Sequence, residues 1–257
     1  IAHMGAQGNT HYTGERVVGP SSYIVPDIGI EAEVLTIEEI KQIEDEYVDG
    51  IVQADAAGFD LIEIMTAHGY LIHQFLSEHT NKREDEYGGS EKNRLRFLKN
   101  ILDKVKNKVD TSRFAAKVTG NDFLPKGLDF KKIKFLIDML DNYNFAYYQV
   151  TAGIYETAKQ KYIQMKKGSY WDYAQQLKKL TKTPVMAQGS ITSMEEGENI
   201  LKKKQGDFWG MGQALIADPQ IITKTLNNQE DEVYKCLAHL KVGSCHRCRY
   251  LKQKDKS

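Results

Sequence analysis

The sequence has few cysteines, no net charge and no long apolar run. Three cysteines in 257 residues do not support the disulfide framework of a small secreted domain. No signal peptide is recognisable either, so the cytoplasm is the expected compartment. The 35 basic and 35 acidic residues cancel, which leaves no overall field to favour nucleic acid or an anionic membrane as a partner. No apolar run approaches the ~18 residues of a transmembrane helix, so none is predicted.

The chain does have the size and the alternating pattern of a (β/α) barrel. Short apolar runs of strand length alternate with segments whose apolar residues recur at helical spacing, which is typical of parallel βα units. The predicted strands are a stub at Ile1 and the runs 59–64, 114–118, 146–150, 184–187 and 207–211. The predicted helices start after Thr36 and Ser90 and cover 130–143, 171–181, 194–204 and 219–227.

Six strands, counting the stub, are two fewer than the eight that close such a barrel. We therefore expect an α/β fold, a TIM (β/α)8-type barrel that lacks its first two strands in this chain. The barrel is assigned to residues 1–229, and a cysteine-containing extension to 230–257. Segment 8–30, rich in Gly, Ser, Tyr and Pro, is expected to be a βα loop over the active face rather than a disordered stretch.

The most specific pattern lies in residues 58–97, GFDLIEIMTAHGYLIHQFLSEHTNKREDEYGGSEKNRLRF. A strand is followed at its carboxyl end by His68 and Tyr70, which is how a (β/α) barrel presents side chains to a ligand. The stretch closely resembles the signature of the old yellow enzyme family, the FMN-dependent ene-reductases and 2,4-dienoyl reductases. Weaker similarity to that family extends from Ile1 to about Pro219.

This resemblance implies a flavin oxidoreductase that uses NADH or NADPH to reduce the C=C bond of an α,β-unsaturated carbonyl or dienoyl compound. Tyr70 matches the residue that donates the proton, and His68 matches a residue that binds the substrate carbonyl. His68 is the second of the family's two carbonyl-binding positions, and Met65 stands at the first, which is usually His. Its thioether cannot donate a hydrogen bond, and the dienoyl reductase branch also has Met there.

The resemblance also implies where FMN would lie. Lys117 stands where the family usually has Arg, beside the flavin pyrimidine, and it keeps the positive charge but loses the planar fork. The phosphate is expected at two glycine-containing segments, since glycines let backbone N–H groups approach an anion. The residues assigned to it are Gly189, Ser190, Gly212 and Gln213, the last in place of the family's Arg.

Three alternatives stay open for the cysteines near the end of the chain, Cys236, Cys245 and Cys248. The dienoyl reductase branch carries a 4Fe–4S cluster after its barrel, but a cluster usually needs four thiolates. The thiols are therefore unliganded, or bind zinc together with a histidine, or belong to a cluster completed by residues outside this sequence.

A second reading is a truncated or degenerate barrel that binds a phosphorylated ligand or a protein partner and catalyses nothing. The two missing strands favour it, as do the departures from the family pattern at Ala6, Met65, Lys117 and Gln213. A small-molecule substrate is expected in the first reading. The substrate's identity, the choice between NADH and NADPH and a homo-oligomeric state stay open.

Overall fold

The computed structural model describes residues 1–26, 28–158 and 168–236. Its main feature is a five-stranded sheet in which every neighbouring pair is parallel and the strand order follows the chain. The strands are β3 (Ile62–Met65), β4 (Phe114–Thr119), β5 (Tyr147–Thr151), β6 (Val185–Gln188) and β7 (Phe208–Gly210), and a separate parallel pair is formed by β1 (Val18–Gly19) and β2 (Glu33–Val34).

In the described part of the chain, helices precede, connect and follow the strands of the main sheet. They are α1 (Thr10–Thr13), α2 (Ile37–Ala56), α3 (Leu71–Leu76), α4 (Glu91–Val105), α5 (Lys134–Leu140), α6 (Tyr155–Ala158), α7 (Ser169–Leu177), α8 (Met194–Lys202), α9 (Gln213–Ala217) and α10 (Ile221–Leu226). Single 3-10 turns lie at Gly5–Gln7, Thr111–Arg113, Asp141–Tyr143 and Glu230–Glu232.

The sheet has one apolar face and one polar face because side chains alternate along each strand. Ile62 and Ile64 of β3 are buried in the same core as Leu98 and Ile101 of α4. The intervening β3 residue Glu63 and its counterparts on the other strands face the opposite side. That side, which is the inner face of a barrel, therefore carries the polar residues of the sheet.

The predicted order of parallel βα units is confirmed, but most of the predicted boundaries shift by one to four residues. The strand predicted at 59–64 starts only at Ile62, because Phe59 and Leu61 are exposed. The helix predicted at 130–143 is α-helical only over Lys134–Leu140 and then tightens into the 3-10 turn Asp141–Tyr143.

The predicted stub at Ile1 forms no regular strand, but it lies along the edge of β3. The amide of Met65 donates to the carbonyl of Ile1 at 3.1 Å, and the Ile1 amino group donates to the carbonyl of Glu63 at 2.6 Å. The first residues of the chain thus occupy the position of a parallel neighbour to β3.

The helix caps predicted from the sequence are present, and the long loop is packed rather than extended into solvent. Thr36 and Glu39 form the predicted capping box of α2, and the Ser90 side chain accepts a hydrogen bond from the amide of Asn93. The loop 8–30 contains α1 and β1 and shares a small buried cluster, which consists of Ala6, Val17, Val25 and Ala32. Over its described residues the loop is therefore packed onto the fold.

No helix in the described ranges is long and apolar enough to cross a bilayer. The predicted boundary between barrel and extension at residues 229 and 230 stays a prediction, because most of the extension lies beyond residue 236, outside the described residues.

Candidate active site at the carboxyl ends of the strands

A cleft of about 630 Å³ opens where β4 to β7 end. Its volume falls within the range of small-molecule and cofactor sites, roughly 300–1,000 Å³. The residues that line it are His68, Lys117, Gln149, Thr151, Tyr170, Met186, Gln188, Gly189, Ser190, Ile191, Gly210, Met211, Gly212 and Gln213. Six of the seven residues predicted for the site are in this set, and Tyr70 is not.

His68 and Tyr70 lie on the loop that leaves β3. The His68 backbone has a positive φ of 62°, a conformation that non-glycine residues adopt only when their surroundings hold them. The Gln7 side-chain amide contributes to that hold by donating to the His68 carbonyl at 2.7 Å. The ring centroids of His68 and Tyr70 are 6.3 Å apart, so Tyr70 lies next to a residue that lines the cleft.

The His68 imidazole is neutral at physiological pH. Burial, and then the positive charge of Lys117, lower the pKa of His68 to about 4. A neutral imidazole still has one N–H donor. It can therefore bind a carbonyl oxygen without adding a full charge to the site.

Lys117 lies on the inner face of β4, opposite Met65 in the parallel register. Its ammonium is 3.3 Å from a carboxylate oxygen of Glu63, the second residue of β3. Lys117 lines the cleft and brings a positive charge to it.

The turn after β6 has a backbone conformation that favours glycine, and the Tyr170 ring packs closely against it. Gly189 has a φ of +89° and Ser190 a φ of +55°. A Cβ added to Gly189 would lie 2.1 Å from Cδ2 of Tyr170, so no side chain fits there. At Gly212, before α9, an added Cβ would meet nothing within 4 Å, and the backbone there is open to the cleft.

Two glutamines that sequence reasoning did not single out cross the floor of the cleft. Gln149 on β5 donates to the Gln188 side-chain oxygen at 2.5 Å, and Gln188 on β6 donates to the Val150 carbonyl at 2.9 Å. Strand alternation could have placed both on the inner face. Nothing in their local sequence distinguishes them from ordinary polar strand residues.

A buried histidine–carboxylate pair lies behind the His68 loop. His73 Nε2 is 2.9 Å from Asp122 Oδ2, and both side chains are 1% exposed. Burial alone would raise the pKa of Asp122, but the charge and hydrogen bond of His73 and hydrogen bonds from Leu128 and Thr119 outweigh it and lower that pKa. The pair fixes α3 to the loop after β4.

Of the three cysteines near the end of the chain, Cys236 lies within the described residues. Cys236 is buried in a small cluster with Ala214 and Ile221. Cys245 and Cys248 lie outside the described residues. Within the ranges that are described, no three His, Cys, Asp or Glu side chains are arranged to hold a metal ion.

These features define a (β/α) barrel protein with a ligand cleft at the carboxyl ends of its strands, and comparisons with known proteins identify its family. A family model described as NADH:flavin oxidoreductase / NADH oxidase matches residues 1–232. The chain is 34% identical over 242 residues to the NADH oxidase of Thermoanaerobacter brockii, over 93% of this chain and 37% of that protein. It is 31% identical to the NADPH dehydrogenase of Bacillus subtilis (strain 168), over 89% of this chain and 67% of that protein.

Among solved structures, a 2-naphthoyl-CoA reductase in complex with 2-naphthoyl-CoA superimposes with a TM-score of 0.84 at 25% identity, over 93% of this chain and 39% of that one. The chain therefore belongs to the NADH:flavin oxidoreductase / NADH oxidase family, the old yellow enzyme-like family, and its fold is of the TIM-barrel type. It spans only 37% of the length of the NADH oxidase relative.

Proposed function

We propose that this chain forms the FMN site of an NAD(P)H-dependent flavin oxidoreductase that reduces the C=C bond of an α,β-unsaturated carbonyl or dienoyl compound. The observation that carries the proposal is the cleft itself. It brings a neutral imidazole, a lysine and two glycine-containing turns to one place at the carboxyl ends of parallel strands, where barrel enzymes have their active sites.

The cleft residues fit FMN by their chemistry. Lys117 would lie beside the pyrimidine edge of the ring and stabilise the negative charge of the reduced form. The backbone at Gly189, Ser190 and Gly212 would receive the phosphate, with Gln213 as a neutral donor. Bound FMN would supply hydride transfer from a nicotinamide to the substrate.

The protein's own contribution is polarisation and proton delivery. His68 would hold the substrate carbonyl and stabilise the charge that develops on its oxygen as hydride arrives at the β-carbon. The Tyr70 hydroxyl would then protonate the α-carbon. Met65 ends β3 next to Lys117 in the register, where it contributes shape but no hydrogen-bond donor.

The first test is whether the purified protein takes up FMN and is bleached by NADH or NADPH without oxygen. Bleaching followed by return of colour on addition of an enone or dienoyl thioester supports the proposal. A protein that takes up no FMN would support the second reading, a barrel that binds other ligands without turnover.

The second test concerns Tyr70. Tyr70→Phe should slow reoxidation by the unsaturated substrate by about a hundredfold or more, the usual contribution of a general acid, and leave reduction by the nicotinamide unchanged. Tyr143→Phe, which removes a hydroxyl bonded to Asp103 in the helical layer, is the matched control and should affect neither half-reaction. Equal slowing of both half-reactions by Tyr70→Phe would reject its assignment as proton donor.

A further inference from the structure

Glu63 and Lys117 form an ion pair across two adjacent strands on the inner face of the sheet. The carboxylate oxygen and the ammonium nitrogen are 3.3 Å apart, and the two side chains are 29% and 18% exposed. In the register, Met65 is opposite Lys117 and Glu63 is opposite Ala115. Glu63 therefore lies deeper in the sheet than Lys117, toward the amino-terminal ends of the strands.

Only one member of the pair lines the cleft. Lys117 is among the cleft residues, and Glu63 is not. The ammonium thus lies between a carboxylate beneath it and whatever ligand occupies the cleft above it. The negative charge of Glu63 therefore reduces the positive potential that Lys117 produces at the ligand.

The Ile1 amino group also interacts with the Glu63 carboxylate, but Ile1 does not line the cleft. The neighbouring side chains of Tyr147 and His68 are neutral. Burial, and then the carboxylate of Glu63, raise the pKa of Tyr147, so the Tyr147 hydroxyl stays neutral. The charge of Lys117 helps to lower the pKa of His68 to about 4, so His68 is also neutral. The field of Lys117 therefore reaches at least one other residue of the site.

We propose that Glu63 is a positioning residue for Lys117. Its carboxylate holds the Lys117 ammonium away from the cleft and partly neutralises its positive charge, and both effects lower the reduction potential of the bound flavin. The proposal rests on the proposed binding of FMN. A positive charge near the pyrimidine edge favours the reduced, more negative flavin. Removing the carboxylate should then favour reduction, both by releasing the ammonium and by deleting an opposing charge.

The test is the reduction potential of FMN bound to the full chain, measured by anaerobic equilibration with a dye of known potential. Glu63→Gln should shift the oxidised–reduced equilibrium toward the reduced form by about tenfold, which is about 30 mV for a two-electron couple. Lys117→Gln should shift it in the opposite direction. Both readings are independent of turnover.

Two further variants make the result specific. Glu63→Asp keeps the charge but shortens its reach, so it should give a smaller shift of the same sign, and it decides the matter if Glu63→Gln does not fold. Asp138→Asn removes the same charge from an exposed helical pair with Lys134 and should leave the potential unchanged.

The outcomes separate this proposal from the proposed function. If the wild-type protein binds FMN but Glu63→Gln and Glu63→Asp both keep its potential, Glu63 has no such role, and the proposed function stands. If the wild-type protein takes up no FMN, both are overturned.

Discussion

Between pH 6.5 and pH 4, a histidine in an unfolded chain takes up a proton that His68 in the fold does not. Burial first, and the charge of Lys117 second, lower the pKa of His68 to about 4. Because the unfolded state binds more protons in this window, the stability of the fold must fall as the pH falls through it. Below the folded pKa both states are protonated, and the loss reaches its limit of roughly 3 kcal/mol.

Replacing His68 should remove that part of the pH dependence. His68→Asn is the suitable change because Asn tolerates the positive φ of this position. Urea unfolding at pH 7 and at pH 4.5 should show a smaller loss of stability for His68→Asn than for the wild type. An equal loss in both proteins would contradict the burial of a neutral His68.

Two glycines of the predicted phosphate site should respond to alanine in different ways. Gly189→Ala forces a φ of +89° on a residue with a Cβ and places that Cβ 2.1 Å from Tyr170, so it should cost about 1–3 kcal/mol or more of stability. Gly212→Ala meets nothing within 4 Å and has a negative φ, so the fold should keep its stability.

FMN affinity and melting temperature are measured together for both variants. Gly212→Ala should weaken FMN binding at unchanged melting temperature, since its methyl group occupies space that faces the cleft. Gly189→Ala should lower both the melting temperature and the affinity. If Gly212→Ala binds FMN with wild-type affinity, the phosphate does not bind at Gly212.

At the scale of the elements, the loop 8–30 is held to the rest of the fold by contacts among three side chains from separate segments. The Tyr23 hydroxyl donates to Glu156 of α6, and His79 Nε2 lies 3.1 Å from the same carboxylate oxygen. The Tyr23 and His79 rings meet edge to face at 5.6 Å. Burial and the contact with Glu156 raise the pKa of Tyr23, so the hydroxyl stays a donor over the physiological range.

Tyr23→Phe should therefore loosen this loop. The loss of a hydrogen bond to a charged group costs about 1.5–3 kcal/mol, and the cost should appear locally as faster hydrogen exchange and faster proteolysis within residues 8–30. Tyr143→Phe loses a comparable hydrogen bond to Asp103 at 3.0 Å but lies in the helical layer. Exchange in the loop that rises equally in both variants would mean that the effect is global.

The elements also show what the sequence could predict. Periodicity identified every strand of the main sheet, because buried parallel strands are continuous short apolar runs. It could not locate their first residues, since Phe59 and Leu61 are as apolar as the strand they precede yet are exposed. The pairing of Tyr23 with Glu156, 133 positions later, has no local signal at all.

At the scale of the whole molecule, the sequence likewise predicted part of the candidate site and missed the rest. The motif around His68 and Tyr70 pointed to the loop after β3, and the glycines pointed to the turns after β6 and β7. The order of parallel strands then implied that these segments meet at one edge. Gln149, Gln188 and the partner of Lys117 emerged only from the register, because a single strand does not reveal which residues its neighbours place beside it.

The balance of charge over the whole chain makes its behaviour in solution testable. With 35 residues of each sign and an isoelectric point near 7.2, the protein has little net charge to keep molecules apart at neutral pH. Large apolar side chains, including Phe59 at 61% and Leu226 at 70% exposure, add surfaces that can associate.

Solubility at low salt should therefore pass through a minimum near pH 7.2 and rise toward pH 8.5. Static light scattering across this range measures it, with a variant carrying Phe59→Lys and Leu226→Lys as the comparison. That variant should have its minimum at a higher pH and should scatter less at pH 7.2. A minimum that does not move would show that net charge does not set it, and unchanged scattering at pH 7.2 would show that these apolar groups do not drive association.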